Sequence, residues 1–230
     1  MMMSKPRILI ATIKSWNIHA AKCFARGNPK FNVKIFSTKQ ELSMRALRQF
    51  DPAFIFFPHW SWIIPKQIHE NFVCVGFHIT DLPYGRGGSP LQNLIVRGCA
   101  MTKISAFRIS EEMDGGPVYL KKNLTLEGTA ESILTRTAEI VFKKMIPEII
   151  NKKMIPEIQK GRLVKFQRRT YQDGNLVNAK TMKQIFDYIR MLDGEGYPPA
   201  FLEFGDFIVE FSGAHWHGRN LKANVNIRKK

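Results

Sequence analysis

A rhythm in the first half of the chain limits what it can fold into: short apolar runs alternate with amphipathic stretches. Arg7–Ala11 reads as a strand, followed by a loop over 12–17 and a helix to about Ala25. Asn32–Phe36 reads as a second strand and 39–50 as a helix. Residues 53–57 are continuously apolar, the mark of a central parallel strand buried on both faces. A short helix over 65–70 and a fourth strand over 72–77 complete the series. Strands alternating with helices predict an α/β fold, a doubly wound and mostly parallel Rossmann-like sheet. Ligands in such sheets sit beyond the carboxyl ends of the strands. That rule directs attention to the loops after Ala11, Phe57 and Phe77.

Beyond these elements lie a Gly/Pro-rich loop over 82–90, a helix over 91–97 and a strand over 105–109. A turn-rich loop (111–117), an extended return (118–124) and a helix over 129–145 follow, with Glu131 near the helix's positive end. Lys-Lys-Met-Ile-Pro-Glu-Ile then occurs twice, at 143–149 and 152–158. Two copies are too few for a solenoid, so the duplication reads as a lengthened helical connection interrupted by prolines. The chain divides into residues 1–160 and a small β-rich extension, 161–230, expected to pack on the first part. The extension holds a helix over 179–192 and strands at Ala200–Phe204 and 207–211. Phe201, Phe204, Phe207, Phe211 and Trp216 are expected to pack it onto the main domain.

At 44 % apolar residues, the chain can build a core without disulfides or a structural metal. Thirty-five Lys and Arg against nineteen Asp and Glu give a net charge of +16, a field suited to an anionic partner. These charges are spread along the chain. Only Arg219, Lys222, Arg228, Lys229 and Lys230 cluster, and that tail reads as disordered rather than as a nucleic-acid arm. The cysteines Cys23, Cys74 and Cys99 are unpaired in spacing. The N-terminus lacks a signal-peptide apolar core, and no apolar run approaches the roughly 20 residues that span a bilayer. A cytoplasmic setting follows as an expectation. His215-Trp216-His217 has no acidic or cysteine neighbour, so no metal is expected.

Two segments carry chemistry. Gly76-Phe77-His78-Ile79-Thr80-Asp81-Leu82-Pro83-Tyr84-Gly85-Arg86-Gly87 places a histidine at the carboxyl edge of a central strand, before a turn that a substrate can approach closely. Ile109-Ser110-Glu111-Glu112-Met113-Asp114-Gly115-Gly116-Pro117 places an aspartate in a loop after another strand. The pair resembles the N10-formyltetrahydrofolate-dependent formyltransferase family, whose pattern is roughly Asn-x-His-x-Ser-x-Leu-Pro-x-Tyr-Arg-Gly followed by Asp-x-Gly-Pro. His78, Leu82-Pro83 and Gly87 match the first part; Asp114, Gly116 and Pro117 match the second. Phe166-Gln167-Arg168-Arg169, Ile189 to Asp193 and Tyr197 to Phe201 resemble the short extension of nucleotide-sugar N-formyltransferases. A methionyl-tRNA enzyme is expected to need a larger C-terminal barrel.

The resemblance implies formyl transfer from N10-formyltetrahydrofolate to the amine of a nucleotide-linked, UDP-linked by preference, amino-deoxy sugar, with a nucleotide sugar rather than nucleic acid or membrane as partner. A homodimer is compatible with it. The rivals are another amine, such as glycinamide ribonucleotide or Met-tRNA, and a catalytically impaired binding protein. His78 would stabilise the oxyanion and shuttle a proton. Asp114 would pair with His78 and accept the amine proton. The family's Asn is Gly76 here, which removes an oxyanion donor worth about 10²–10³-fold in rate. His59, Thr80 or a backbone N–H are candidates to replace it. Ser61, Trp62, Ile63, Ile64, Arg108, Ser110, Glu112 and Asp114 are the implied folate contacts. Lys14, Ser15, Trp16 and Asn17, at the start of the first helix, would face the substrate along with Thr80, Arg86, Gly88 and Ser89. Asn17 could equally cap that helix.

Overall fold

The computed structural model describes residues 5–230. Most of the N-terminal stretch read for a signal peptide, residues 1–4, lies outside the described residues. The chain divides into two compact units interleaved in sequence. One runs to Arg86 and adds Lys103–Asn123 and Thr135–Lys165; the other comprises Gly87–Thr102, Leu124–Leu134 and Phe166–Lys230.

The first unit is built on an α/β sheet. Strands β1 (Arg7–Ala11), β2 (Asn32–Phe36), β3 (Phe54–Phe57), β4 (Cys74–His78), β6 (Met101–Arg108) and β7 (Val118–Thr125) lie in the order β2-β1-β3-β4-β6-β7. The first four are parallel, and β6 runs antiparallel to β4. Ile8, Leu9, Ile10, Ile55 and Phe56 are fully buried, as their unbroken apolar runs require of strands covered on both faces. β5 (Tyr84–Gly87) pairs instead with β8 (Val164–Phe166). Helices α1 (Ser15–Gly27), α2 (Met44–Phe50) and α3 (Lys66–Asn71) connect the parallel strands.

Helix α2 starts later than the apolar spacing suggests. The Glu41 carboxylate accepts hydrogen bonds from the backbone N–H groups of Ser37 and Thr38 and from the Thr38 hydroxyl, closing a turn before the helix. Burial alone would raise the Glu41 pKa, but those bonds hold it below the usual carboxylate range. Ser43 then caps the helix by accepting from the Ala46 N–H.

The helix expected over 129–145 is α5 (Ala130–Ile140), a π-turn (Val141–Met145) and α6 (Ile146–Lys152) in succession. Pro147 has no N–H and its ring crowds the preceding turn; the wider π-turn lets the helix pass the proline. Lys153, in the left-handed conformation, ends it. The duplicated heptapeptide therefore takes two shapes. In the first copy Met145, Ile146 and Ile149 are fully buried in helix; in the second, Ile155 and Ile158 are exposed in extended chain.

The second unit contains α4 (Pro90–Val96), α7 (Met182–Arg190) and an antiparallel sheet, β11-β10-β9, formed by β9 (Ala200–Phe204), β10 (Phe207–His217) and β11 (Asn220–Lys229). Leu176, Ile189, Ala200 and Ala214 form its core, with Phe211, Leu221 and Ala223 packed against them. The buried Arg190 guanidinium pairs with Asp187 and donates to the carbonyls of Leu126 and Gly128. Two expectations change here. The basic tail is not disordered but forms β11, because Leu221, Ala223, Val225 and Ile227 alternate with polar residues. Phe204 and Phe207 are exposed, while Phe201 stacks on Tyr171 and Trp216 leans on Phe186.

Candidate active site

His78 is the last residue of β4 and pairs across the sheet with Ser105 of β6. The turn after it is pinned from below. The Ser105 hydroxyl donates to the Thr80 carbonyl (2.7 Å) and accepts from the Leu82 N–H (3.2 Å). Asp81 pairs with Lys103 and Lys121. Burial alone would raise the Asp81 carboxyl, but bonds from these two lysines hold it below its ordinary value. Gly85, at φ +75°, turns its carbonyl to the imidazole, 2.7 Å from Nε2. A carbonyl can only accept, so Nε2 carries a proton and Nδ1 is the nitrogen left for chemistry.

Asp114 lies in the β6–β7 loop at φ +51°, with Oδ2 3.7 Å from His78 Nδ1. Both side chains are largely buried, 9 % and 18 % exposed. The gap is too long for a direct hydrogen bond, but a water or a substrate polar atom seated beside the pair can contact both groups. The turn is tight. A Cβ on Gly116 would lie 1.7 Å from the Arg108 carbonyl oxygen, and one on Gly115 would collide with the Glu112 side chain. Gln159 closes the turn from outside: its amide nitrogen donates to the carbonyls of Asp114 (2.8 Å) and Gly116 (2.7 Å). Its oxygen accepts two bonds from Arg86, whose remaining terminal nitrogen pairs with Glu112 at 2.6 Å. No sequence signal marked Gln159; it lies far along the chain in a stretch that resembles nothing in the motif.

Among the described residues, three buried side-chain polar atoms lack a hydrogen-bond partner: Trp16 Nε1, Trp60 Nε1 and Thr80 Oγ1. All three follow carboxyl ends of parallel strands, the edge at which such sheets bind ligands.

A family model described as "Methionyl-tRNA formyltransferase, C-terminal domain" matches residues 171–228. The structure of a methionyl-tRNA formyltransferase from Clostridium thermocellum superposes with a TM-score of 0.96. It is 48 % identical, covering 98 % of this chain and 100 % of that one. The chain belongs to the formyltransferase family. A curated methionyl-tRNA formyltransferase from Wolinella succinogenes is 28 % identical over 197 residues, 81 % of this chain and 63 % of the relative. The chain spans between about half and two thirds of the length of such curated relatives. A 4-N formyltransferase from Francisella tularensis, at 15 % identity, TM-score 0.67 and coverage of 87 % and 93 %, shares the fold alone.

These findings overturn the sugar-nucleotide reading of this formyltransferase. It rested on the size of the extension and on the likeness of residues 166–169, 189–193 and 197–201 to that of the sugar enzymes, yet the C. thermocellum enzyme is matched over its full length by a chain this short. The exclusion of nucleic acid falls with it, since the relatives are named for methionyl-tRNA. The second unit needs no further barrel to hold its own core.

The departure from the family's Asn has a physical basis. Gly76 stands opposite Phe107 in the β4–β6 ladder, and a Cβ on Gly76 would lie 2.8 and 2.9 Å from Phe107 ring carbons. Phe107, 6 % exposed, occupies the space an Asn side chain would take. His59 is one of the residues expected to replace the missing donor. His59 (φ +54°) instead packs edge-on against Trp16, ring centroids 5.7 Å apart.

Other expected contacts divide. Trp62 and Ile63 are exposed beside Trp60, whereas Ile64 packs into the β1–β3 core. Ser61 is exposed. Arg108 donates to the Phe72 carbonyl and Ser110 to that of Glu112. Lys14 opens α1 with no side-chain cap; Ser15 and Trp16 follow, and Asn17, 4 % exposed, lies inside the helix rather than capping it. Four of the residues expected to face the substrate are otherwise engaged or buried in this structure. Arg86 spends its guanidinium on Gln159 and Glu112. Gly88 and Ser89 bond the backbone of Phe166 and Arg169. Thr80 is fully buried with its hydroxyl unpartnered.

Proposed function

We propose that this chain transfers the formyl group of N10-formyltetrahydrofolate to the amino group of methionyl-tRNA. The observation that carries the reading is identity at 48 % of positions, over essentially both full chains, with an enzyme of that name. The charge of +16 supports it, since an RNA acceptor is a polyanion whose binding a basic protein favours.

The residues fit a formyl donor: a buried, unpartnered Trp60 indole N–H adjoins the 61–64 segment, and Trp60, Ile64 and Ile109 pack on one apolar cluster. The donor would supply an activated formyl carbon, which the acceptor amine attacks as the bond from that carbon to the folate N10 breaks and tetrahydrofolate leaves. His78, anchored through Nε2 on Gly85, presents Nδ1 to the reacting atoms. Asp114 takes the amine proton directly or through water and balances the charge when Nδ1 is protonated. Ser61, Trp62, Ile63, Ile64, Arg108 and Ser110 border the donor, and Lys14 to Asn17 lie on the acceptor side. With Gly76 in place of the family Asn, a backbone N–H of the His78–Leu82 turn or the His59 ring takes over the oxyanion contact.

The test is formyl transfer from N10-formyltetrahydrofolate to charged methionyl-tRNA, read as acid-stable formylmethionine after deacylation. Amino-sugar nucleotides and glycinamide ribonucleotide run in parallel. Methionyl-tRNA is expected to be formylated at least a hundredfold faster than the others, on the order of the discrimination a built polar site provides. Formylation of another amine in preference to methionyl-tRNA would overturn the assignment.

A further inference from the structure

We propose that Gln159 is a positioning residue for Asp114, and that the second copy of the duplicated heptapeptide delivers it to the site. This rests on the catalytic reading above. The Gln159 amide is fully used: two N–H groups to the carbonyls of Asp114 and Gly116, and an oxygen that accepts from Arg86 Nε (3.0 Å) and a terminal nitrogen (2.8 Å). Arg86 thereby fixes which end of the amide faces the loop, because a guanidinium can only donate.

Each contact bears on the dyad. Asp114 lies at φ +51°, a conformation uncommon for non-glycine residues though more accessible to Asp than to most. Two carbonyl anchors flanking Gly115 fix the turn that holds it there. Arg86 also follows Gly85, whose carbonyl holds the His78 ring, so one side chain links the supports of both catalytic groups.

The duplication explains the reach. Its copies align residue by residue with an offset of nine, so Gln159 is the counterpart of Ile150 and the first position at which the copies differ after the shared heptapeptide. In the first copy the chain is helical; in the second, Glu157 bonds Val118 through both backbone groups and sets Gln159 beside the Asp114 turn.

The test uses Gln159→Glu, which keeps size and the acceptors for Arg86 but removes both donors, and Gln159→Met, which keeps volume alone. Each is measured in wild-type and Asp114→Asn backgrounds with methionyl-tRNA and N10-formyltetrahydrofolate. A misplaced group costs about 100-fold, so kcat is expected to fall by about that much with KM nearly unchanged. In the Asp114→Asn background the further loss should shrink to about twofold or less, because residues acting as a unit are non-additive. Wild-type kcat in Gln159→Glu, or the same fold loss in both backgrounds, would overturn the proposal. An Asp114→Asn enzyme with full turnover would instead sink the catalytic reading. If no acceptor is turned over, the His78 ring resonances decide: Gln159→Glu and Gln159→Met should both shift them, and unchanged resonances in folded protein would overturn the positioning role.

Discussion

Restoring the family asparagine at Gly76 should harm this protein unless the opposite strand changes with it. An asparagine Cβ would sit 2.8 and 2.9 Å from Phe107 ring atoms, closer than real Cβ contacts come, and a tight 3.3 Å from Ile109. Phe107 is nearly buried on a central ladder, so the ring has to leave its rotamer or the β4–β6 pair must part. Overpacking of this kind costs about 1–3 kcal/mol. For a chain of this size each kcal/mol lowers Tm by about 2–4 °C, so Gly76→Asn should melt roughly 2–12 °C below wild type. Turnover should fall or stay level. Phe107→Val vacates the ring's space, and in that background the same asparagine should cost at least about 0.5 kcal/mol less. Only there should the added donor raise kcat, by up to about 10²-fold. Paired thermal melts and single-turnover formylation measure both effects. Gly76→Asn alone with an unchanged Tm and a large gain in rate would refute the reasoning, since it would mean the space is open.

Three further outcomes follow from the structure. His78→Ala and Asp114→Asn should each lower kcat by about 10²–10⁴-fold, as loss of a general acid–base group does, with circular dichroism unchanged; near-wild-type rates in either would remove the dyad from the mechanism. Glu148 is held at about 2, chiefly by its bond to Lys122 and then by Lys152, against an ordinary value of 4.5. Its stabilisation is therefore present above about pH 4.5 and is lost as pH falls toward 2; Glu148→Gln should remove about 1 kcal/mol or less of acid-sensitive stability, visible as a flatter Tm–pH curve in that window. Burial pushes the Cys74 thiol up to about 12, while Cys23 is exposed. Mild alkylation of native protein, read by peptide mass spectrometry, should modify Cys23 and spare Cys74 until the chain unfolds.

How much of this was legible in the sequence depends on the range over which each feature is determined. The parallel strands were, because Ile8 to Ala11 and Ile55 to Phe57 are apolar without a break and only a strand buried on both faces needs that. His78 and Asp114 were legible as a spaced pair, each beside its own turn residues. The start of α2 was not, because Glu41 looks like a helical residue and acts as a staple for the preceding turn. β11 was read as a loose basic tail because its lysines and arginines drew attention from the alternation of Leu221, Ala223, Val225 and Ile227. Phe107 over Gly76 and Gln159 under Asp114 belong to a third kind. Both depend on which residues a ladder or a return strand brings opposite one another, and neither residue type nor local spacing encodes that. The acceptor is not legible for a different reason: neither the length of the extension nor its short motifs report what a surface binds.

The duplicated heptapeptide shows where local sequence stops deciding conformation. The same Met-Ile-Pro-Glu-Ile run lies in a π-to-α helix with Met145, Ile146 and Ile149 buried at one place and in non-helical chain with Ile155 and Ile158 exposed at the other. Propensity cannot separate them, so the difference must come from what surrounds each copy. The first copy continues α5, and a helix already formed adds residues without a new nucleation cost. There Met145, Ile146 and Ile149 find a core to bury in, and Glu148 gains two lysines. The second copy opens with Lys152, the last residue of α6, and Lys153, whose left-handed backbone breaks that continuity. Pro156 disfavours a helical Ile155 before it, and the Glu157–Val118 bridge rewards extension. Ile155 and Ile158 are left in solvent, a cost that helix burial would have avoided. What the extended path gains in exchange is the two backbone bonds to Val118 and the Gln159 contacts beyond, so weakening those contacts should loosen the whole 152–159 segment before it disturbs the helix that shares its sequence.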